Sequence, residues 1–126
     1  MGPTQIDRLL RDLYTARQSG DLDGVCRAFA SDGGFHIASA SDSSPVAMTA
    51  AGMQEFRPLL AFMIKVFRLR DLTIRTINID GDKATVHWQA HVRSRITGAT
   101  VATEFIDIVE VRDGRIANFN EVFISR

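Results

Sequence analysis

The hydrophobic pattern changes period about halfway along the chain. Up to Phe67 the apolar residues recur at every third or fourth position, and beyond Leu72 they alternate or run together. Ile6, Leu9, Leu10, Leu13 and Ala16 mark one helical face, with a start near Thr4 and Asp7 and a stop at Gly20. Asp21 is placed to cap a second, shorter helix that carries Leu22, Val25, Cys26 and Phe29 inward. A third helix brings Met53, Phe56, Leu60, Met63, Ile64 and Phe67 to one side, and Pro58 within it predicts a kink or a delayed start. Between these helices Phe35-His36-Ile37 reads as a short strand, with Gly33-Gly34 predicting a bulge before it. The Ser- and Ala-rich stretch from Ala38 to Thr49, which contains Pro45, reads as a loop.

The second half predicts a meander of long strands: Leu72 to Ile79, Ala84 to Arg95, Thr100 to Val111 and Ile116 to Ile124. Asp80-Gly81, Thr97-Gly98 and Asp113-Gly114 supply the turns, and Asp-Gly is a strong hairpin signal. Helices first and sheet second predict a single α+β domain over residues 1–126. Strands apolar on both sides predict one sheet face against the helices and the other against a second subunit.

Within this pattern one residue breaks the rule. Alternation puts Phe105, Asp107, Val109 and Val111 on one strand face, so an acid sits among large apolar neighbours. Such a carboxyl is costly to bury unless it is partnered or protonated. Across the Asp113-Gly114 turn, Glu121 falls on a strand face between Phe119 and Phe123. Two adjacent strands are thus expected to aim acids into one apolar space, giving an acid and a base in one place. His36 is a third proton-transfer candidate by type. Tyr14, at the edge of the first helix's apolar face, either reaches the pocket mouth with its hydroxyl or simply packs. Phe35, Phe56, Leu60, Met63, Trp88, Val92, Phe105 and Phe119 have core spacing and are the expected pocket wall. His87 and His91 fall on the opposite face, with Gln89 and Arg93.

Composition narrows the classes. The chain is 45% hydrophobic and 24% charged, with 15 basic residues against 15 acidic ones, which excludes disorder and argues against a nucleic-acid partner. The single cysteine, Cys26, cannot close an internal disulfide and reads as a small core residue. The longest apolar run, Leu59 to Ile64, is too short for a bilayer, and the amino terminus lacks the signature of a signal peptide. The expected compartment is the cytoplasm. No His and acid stand at metal-ligand spacing, and no phosphate loop, dinucleotide fingerprint or serine elbow is present, so neither metal nor cofactor is expected.

Three phrases then point to a family: Ser19-Gly20-Asp21-Leu22-Asp23-Gly24, Phe29-Ala30-Ser31-Asp32 and Val109-Glu110-Val111-Arg112-Asp113-Gly114-Arg115-Ile116. In this order and spacing the chain resembles the SnoaL-like and nuclear transport factor two-like proteins, which include ketosteroid isomerases. The resemblance implies a cone: three amino-terminal helices on a strongly curved, mostly antiparallel sheet, commonly paired as a homodimer through the outer sheet face. In the isomerases a first-helix tyrosine and a protonated Asp bind the substrate oxygen. Counted through the phrases, the acid position is Asp107, the tyrosine position Leu13 and the base position Ile37, beside His36. Limonene-epoxide hydrolases of the same fold use an Arg-x-Asp and a second Asp, whose positions here are Phe105, Asp107 and Glu121. The implied function is a pocket for a hydrophobic cyclic or polyketide-like molecule, with acid/base isomerase, cyclase or hydrolase chemistry at Asp107. The alternative is a non-catalytic ligand-binding or protein-interaction domain of the same fold.

Overall fold

The computed structural model describes residues 1–39 and 47–125. Three helices, α1 (Pro3–Ser19), α2 (Leu22–Arg27) and α3 (Met53–Val66), pack on six strands. These are β1 (Phe29–Ser39), β2 (Ala47–Ala51), β3 (Phe67–Asp80), β4 (Lys83–Ser94), β5 (Thr100–Arg112) and β6 (Arg115–Ser125). They form one open, curved sheet in the order β2-β1-β6-β5-β4-β3, antiparallel throughout except for the parallel β1–β6 pair. The expected α+β cone is the fold observed.

Local chemistry explains the breaks. α1 opens one residue before Thr4: Pro3 takes the first helical position, and the N–H of the capping Gly2 donates to Gln5 Oε1 at 2.9 Å. Gly20 ends the helix in a left-handed conformation, φ 73°, and the Asp21 side chain accepts from the Gly24 N–H to start α2. α2 stops at Arg27, so Phe29 reaches the core from β1 and not from a helix. α3 is already formed at Met53 and runs through Pro58, and Phe67 lies beyond it as the exposed first residue of β3.

The expected loop from Ala38 to Thr49 is partly sheet. Ala38 and Ser39 continue β1, while Ala47, Met48 and Thr49 belong to β2 and pair with it. Pro45 lies outside the described residues. In the Asp113-Gly114 turn both residues have positive φ, 52° and 79°, as a two-residue hairpin of matching twist requires.

The concave face of the sheet carries the core. Phe29, Phe35, Phe56 and Phe119 form one ring cluster, with centroids 4.5–5.8 Å apart. Trp88 stacks on Phe105 at 3.8 Å beside Tyr14. The opposite face of β5 and β6 exposes Ile106, Ile108, Val122 and Ile124.

The bulge expected at Gly33-Gly34 is present as a register shift between Phe29 and Gly34 where β1 meets β6. A Cβ at Gly33 would stand 3.0 Å from the carbonyl oxygens of both Ala30 and Ile116, neither of which is a movable side chain. Gly33→Ala is therefore expected to lower stability by about 1–3 kcal/mol in urea unfolding; an unchanged midpoint would contradict this account of the bulge.

Candidate functional site

Asp107 on β5 and Glu121 on β6 are directly opposed in the antiparallel register, and neither has any exposed surface. Alternation along two strands accounts for this: Phe105 and Val109 flank one acid on the concave face, and Phe119 and Phe123 flank the other. Cross-strand neighbours sit about 5 Å apart at Cβ, so each carboxyl lies in the other's field. Two buried like charges at that spacing are unfavourable, and the surroundings show how the conflict is met.

Glu121 is answered by a cation. Arg17, on the last turn of α1, forms an ion pair with it, donating from Nη1 to Oε2 at 2.5 Å and from Nη2 to Oε1 at 3.2 Å. The Arg17 guanidinium also lies 4.9 Å from the Trp88 ring centroid, a second favourable contact for its charge. Burial works against that charge, but Glu121 outweighs it by attraction and hydrogen bonding, so the Arg17 pKa rises.

Asp107 is answered by neutral donors. The Tyr14 hydroxyl, from α1, and the Trp88 indole N–H, from β4, both donate to Oδ2, at 2.5 and 2.6 Å. Trp88 pairs with Phe105 in the β4–β5 register, two residues from Asp107, which puts its indole within reach of the acid. Burial, and then the adjacent Glu121, push the Asp107 pKa well above the ordinary carboxyl range, against the opposite pull of Arg17 and Tyr14. The Tyr14 pKa also rises, first through burial and then through Asp107. With two donors converging on Oδ2, the proton of the neutral acid belongs on Oδ1. Oδ1 is buried and receives no donor among the described residues, and a hydrogen bond of the neutral acid to Glu121 adds to the rise in its pKa.

The structure thus brings Asp107, Glu121, Tyr14, Trp88 and Phe105 together, and it adds Arg17. Leu13, to which the tyrosine position is counted, is buried without a polar group, and it is the adjacent Tyr14 whose hydroxyl reaches Asp107 on β5. No arginine stands at Phe105; the guanidinium arrives from another element. Arg17 was legible in principle, since Ile6, Leu10, Leu13 and Arg17 share one helical stripe, but a charged residue near a helix end usually reads as solvated.

His36 is not part of this group. On regular β1 it points away from Phe35 and Ile37, to the opposite face, where its Nδ1 meets Thr49 Oγ1 at 2.8 Å. Phe35, Phe56 and Phe119 pack against one another, Leu60 is buried on α3, and Met63 and Val92 are half-buried at the edge of the core. Of the candidate residues, Tyr14 also borders an open cleft of about 460 Å³ between α1 and β3, with Arg11, Gln18, Leu72 and Ile74. Among the described residues no group of three His, Cys, Asp or Glu is arranged to hold a metal.

A folded pKa above the unfolded value means that the native state holds the Asp107 proton more tightly. Its contribution to stability is then fully present below the ordinary carboxyl pKa and is lost as pH rises through the raised folded one. Asp107→Asn keeps an oxygen for Tyr14 and Trp88 and cannot ionise. Urea unfolding across pH is expected to show wild-type stability falling over that window and a flatter profile in the variant. Parallel profiles would contradict the protonation assigned to Asp107.

The geometry has relatives. Residues 10–119 match the SnoaL-like domain. A candidate isomerase from Bacillus subtilis superposes with a TM-score of 0.81 at 19% identity, covering 95% of this chain and 86% of its own. An LEH-like epoxide hydrolase from M. tuberculosis gives 0.73 at 21% identity, covering 95% and 83%. A protein with a ketosteroid isomerase-like fold from Catenulispora acidiphila, solved in complex with trimethylamine, gives 0.72 at 14% identity, covering 90% and 82%. No curated protein matches the chain in sequence. At these identities the structural likeness is one of fold, whereas the family match spans most of the chain, which therefore belongs to the SnoaL-like domain family.

Proposed function

We propose that the protein binds a hydrophobic cyclic or polyketide-like molecule bearing a carbonyl or similar oxygen, and acts on it by acid/base chemistry as an isomerase, cyclase or hydrolase. The observation that carries this reading is the buried, directly opposed pair of acids, Asp107 taking two donors on Oδ2 and Glu121 ion-paired with Arg17. In the proposed reaction the Asp107 Oδ1–H donates to the substrate oxygen, Tyr14 and Trp88 hold the carboxyl in place, and Glu121, paired with Arg17, takes up and returns the proton. The α1–β3 cleft that Tyr14 borders is the proposed way in. The fold neighbours named as isomerase and epoxide hydrolase support this range of reactions and select none of them.

The test is turnover of a panel of cyclic ketones, lactones and epoxides by wild type and Asp107→Asn. The variant is expected to fold and to lose about 10²–10⁴-fold in kcat/KM, the usual loss with a general acid. Undiminished turnover would remove Asp107 from the chemistry.

The complete burial of both acids favours a second reading, a non-catalytic ligand-binding or protein-interaction domain of the same fold. It differs by a simple measurement: ligand affinity would not change with pH across the Asp107 titration. Catalytic use of the neutral acid predicts weaker binding as that group ionises.

The proposed partner for the outer sheet face is a second copy of the chain, joined over Ile106, Ile108, Val122 and Ile124. The double variant Ile108→Lys, Val122→Lys is expected to shift the light-scattering mass from dimer to monomer. A wild type that is already monomeric at micromolar concentration would sink this assignment.

A further inference from the structure

On the face of the sheet turned away from Asp107, four arginines gather where β3 begins and β4 ends. Arg68, Arg70, Arg93 and Arg95, with Ser94 and Gly98, line an open cleft of about 320 Å³. Arg68 and Arg93 are direct cross-strand partners, a like-charge pairing that works against the sheet. Among the described residues none of the four guanidiniums makes an ion pair or donates a side-chain hydrogen bond. Asp71, the acid that follows Arg70 in the chain, is engaged with His91 at 3.0 Å. The chain as a whole carries 15 basic and 15 acidic residues, so this corner is a local concentration of charge and not a reflection of composition.

The site is also held in shape. The Ser94 N–H donates to Ala99 O at 2.9 Å, Ser94 Oγ accepts from the backbone N–H groups of Ile96 and Thr97, and the Arg95 N–H donates to Val66 O at 2.8 Å. These bonds fix the backbone on both sides of Arg93 and Arg95. Guanidinium forks match the oxygens of phosphate groups, and several together suit an anion with more than one charge. Among the described residues no aromatic ring lines the cleft, so none offers a surface on which bases would stack.

We infer that this cleft is a binding site for a small phosphate-bearing polyanion, separate from the Asp107 cluster on the concave face. The probe is inorganic pyrophosphate, titrated calorimetrically at low ionic strength. Wild type is expected to show one saturable site per chain, weakened about tenfold by either Arg68→Gln or Arg93→Gln, the loss of one charge-assisted contact. Arg75→Gln serves as the control, because Arg75 lies on the same strand outside the cleft and bonds Gln89. It is expected to leave affinity unchanged. Absence of a saturable site, or equal weakening by Arg75→Gln, would overturn the inference. So would tighter binding to citrate, to phosphatidylserine vesicles or to a single-stranded oligonucleotide, which would assign the cleft to carboxylates, membranes or nucleic acid instead.

Discussion

Asp107 and Glu121 face each other across two strands in an interior that excludes water, and the arrangement of the surrounding residues follows from that opposition. A buried carboxylate with no partner costs several kcal/mol, and two would threaten a domain whose net stability is about 5–15 kcal/mol. The two acids are accommodated differently. Glu121 takes a bidentate arginine, and Asp107 takes two neutral donors on one oxygen and leans toward its protonated form. Both solutions require α1 to dock in one register, because Tyr14 and Arg17 lie one turn apart on it. The first helix is thus fixed by polar geometry as well as by Ile6, Leu10 and Leu13.

Much of this was legible in the sequence, for identifiable reasons. Period and turn chemistry located the helices and the last four strands, since Asp-Gly turns and alternation are local signals. The same alternation exposed Asp107 and Glu121 as acids on a core face. What stayed hidden was tertiary. β2 is a short edge strand whose residues, Ala47 to Ala51, carry no strand signature of their own and are ordered by pairing with β1. Phe29 and Phe67 both fit helical spacing, yet the helices end before them because the chain turns into the sheet at those points. Arg17 and the hydroxyl of Tyr14 belong to the cluster only through contacts 104 and 93 residues away, which no local pattern reports. His36 illustrates the opposite error: its chemical type suggested a role that the face it occupies does not support.

The sheet separates two kinds of chemistry. Its concave face holds a nearly neutral, hydrogen-bonded acid cluster surrounded by rings. Its convex face holds an apolar patch on β5 and β6 and, at the β3–β4 corner, unpaired cationic charge.

The central claim is that Asp107 remains a neutral acid in the folded protein. A carbon-13 NMR titration of side-chain-labelled aspartate, with Asp107→Asn to assign the resonance, tests it most directly. The account predicts that the Asp107 carboxyl keeps its protonated shift after the exposed aspartates have ionised, and titrates well above them. A carboxyl that ionises together with the exposed aspartates would contradict it.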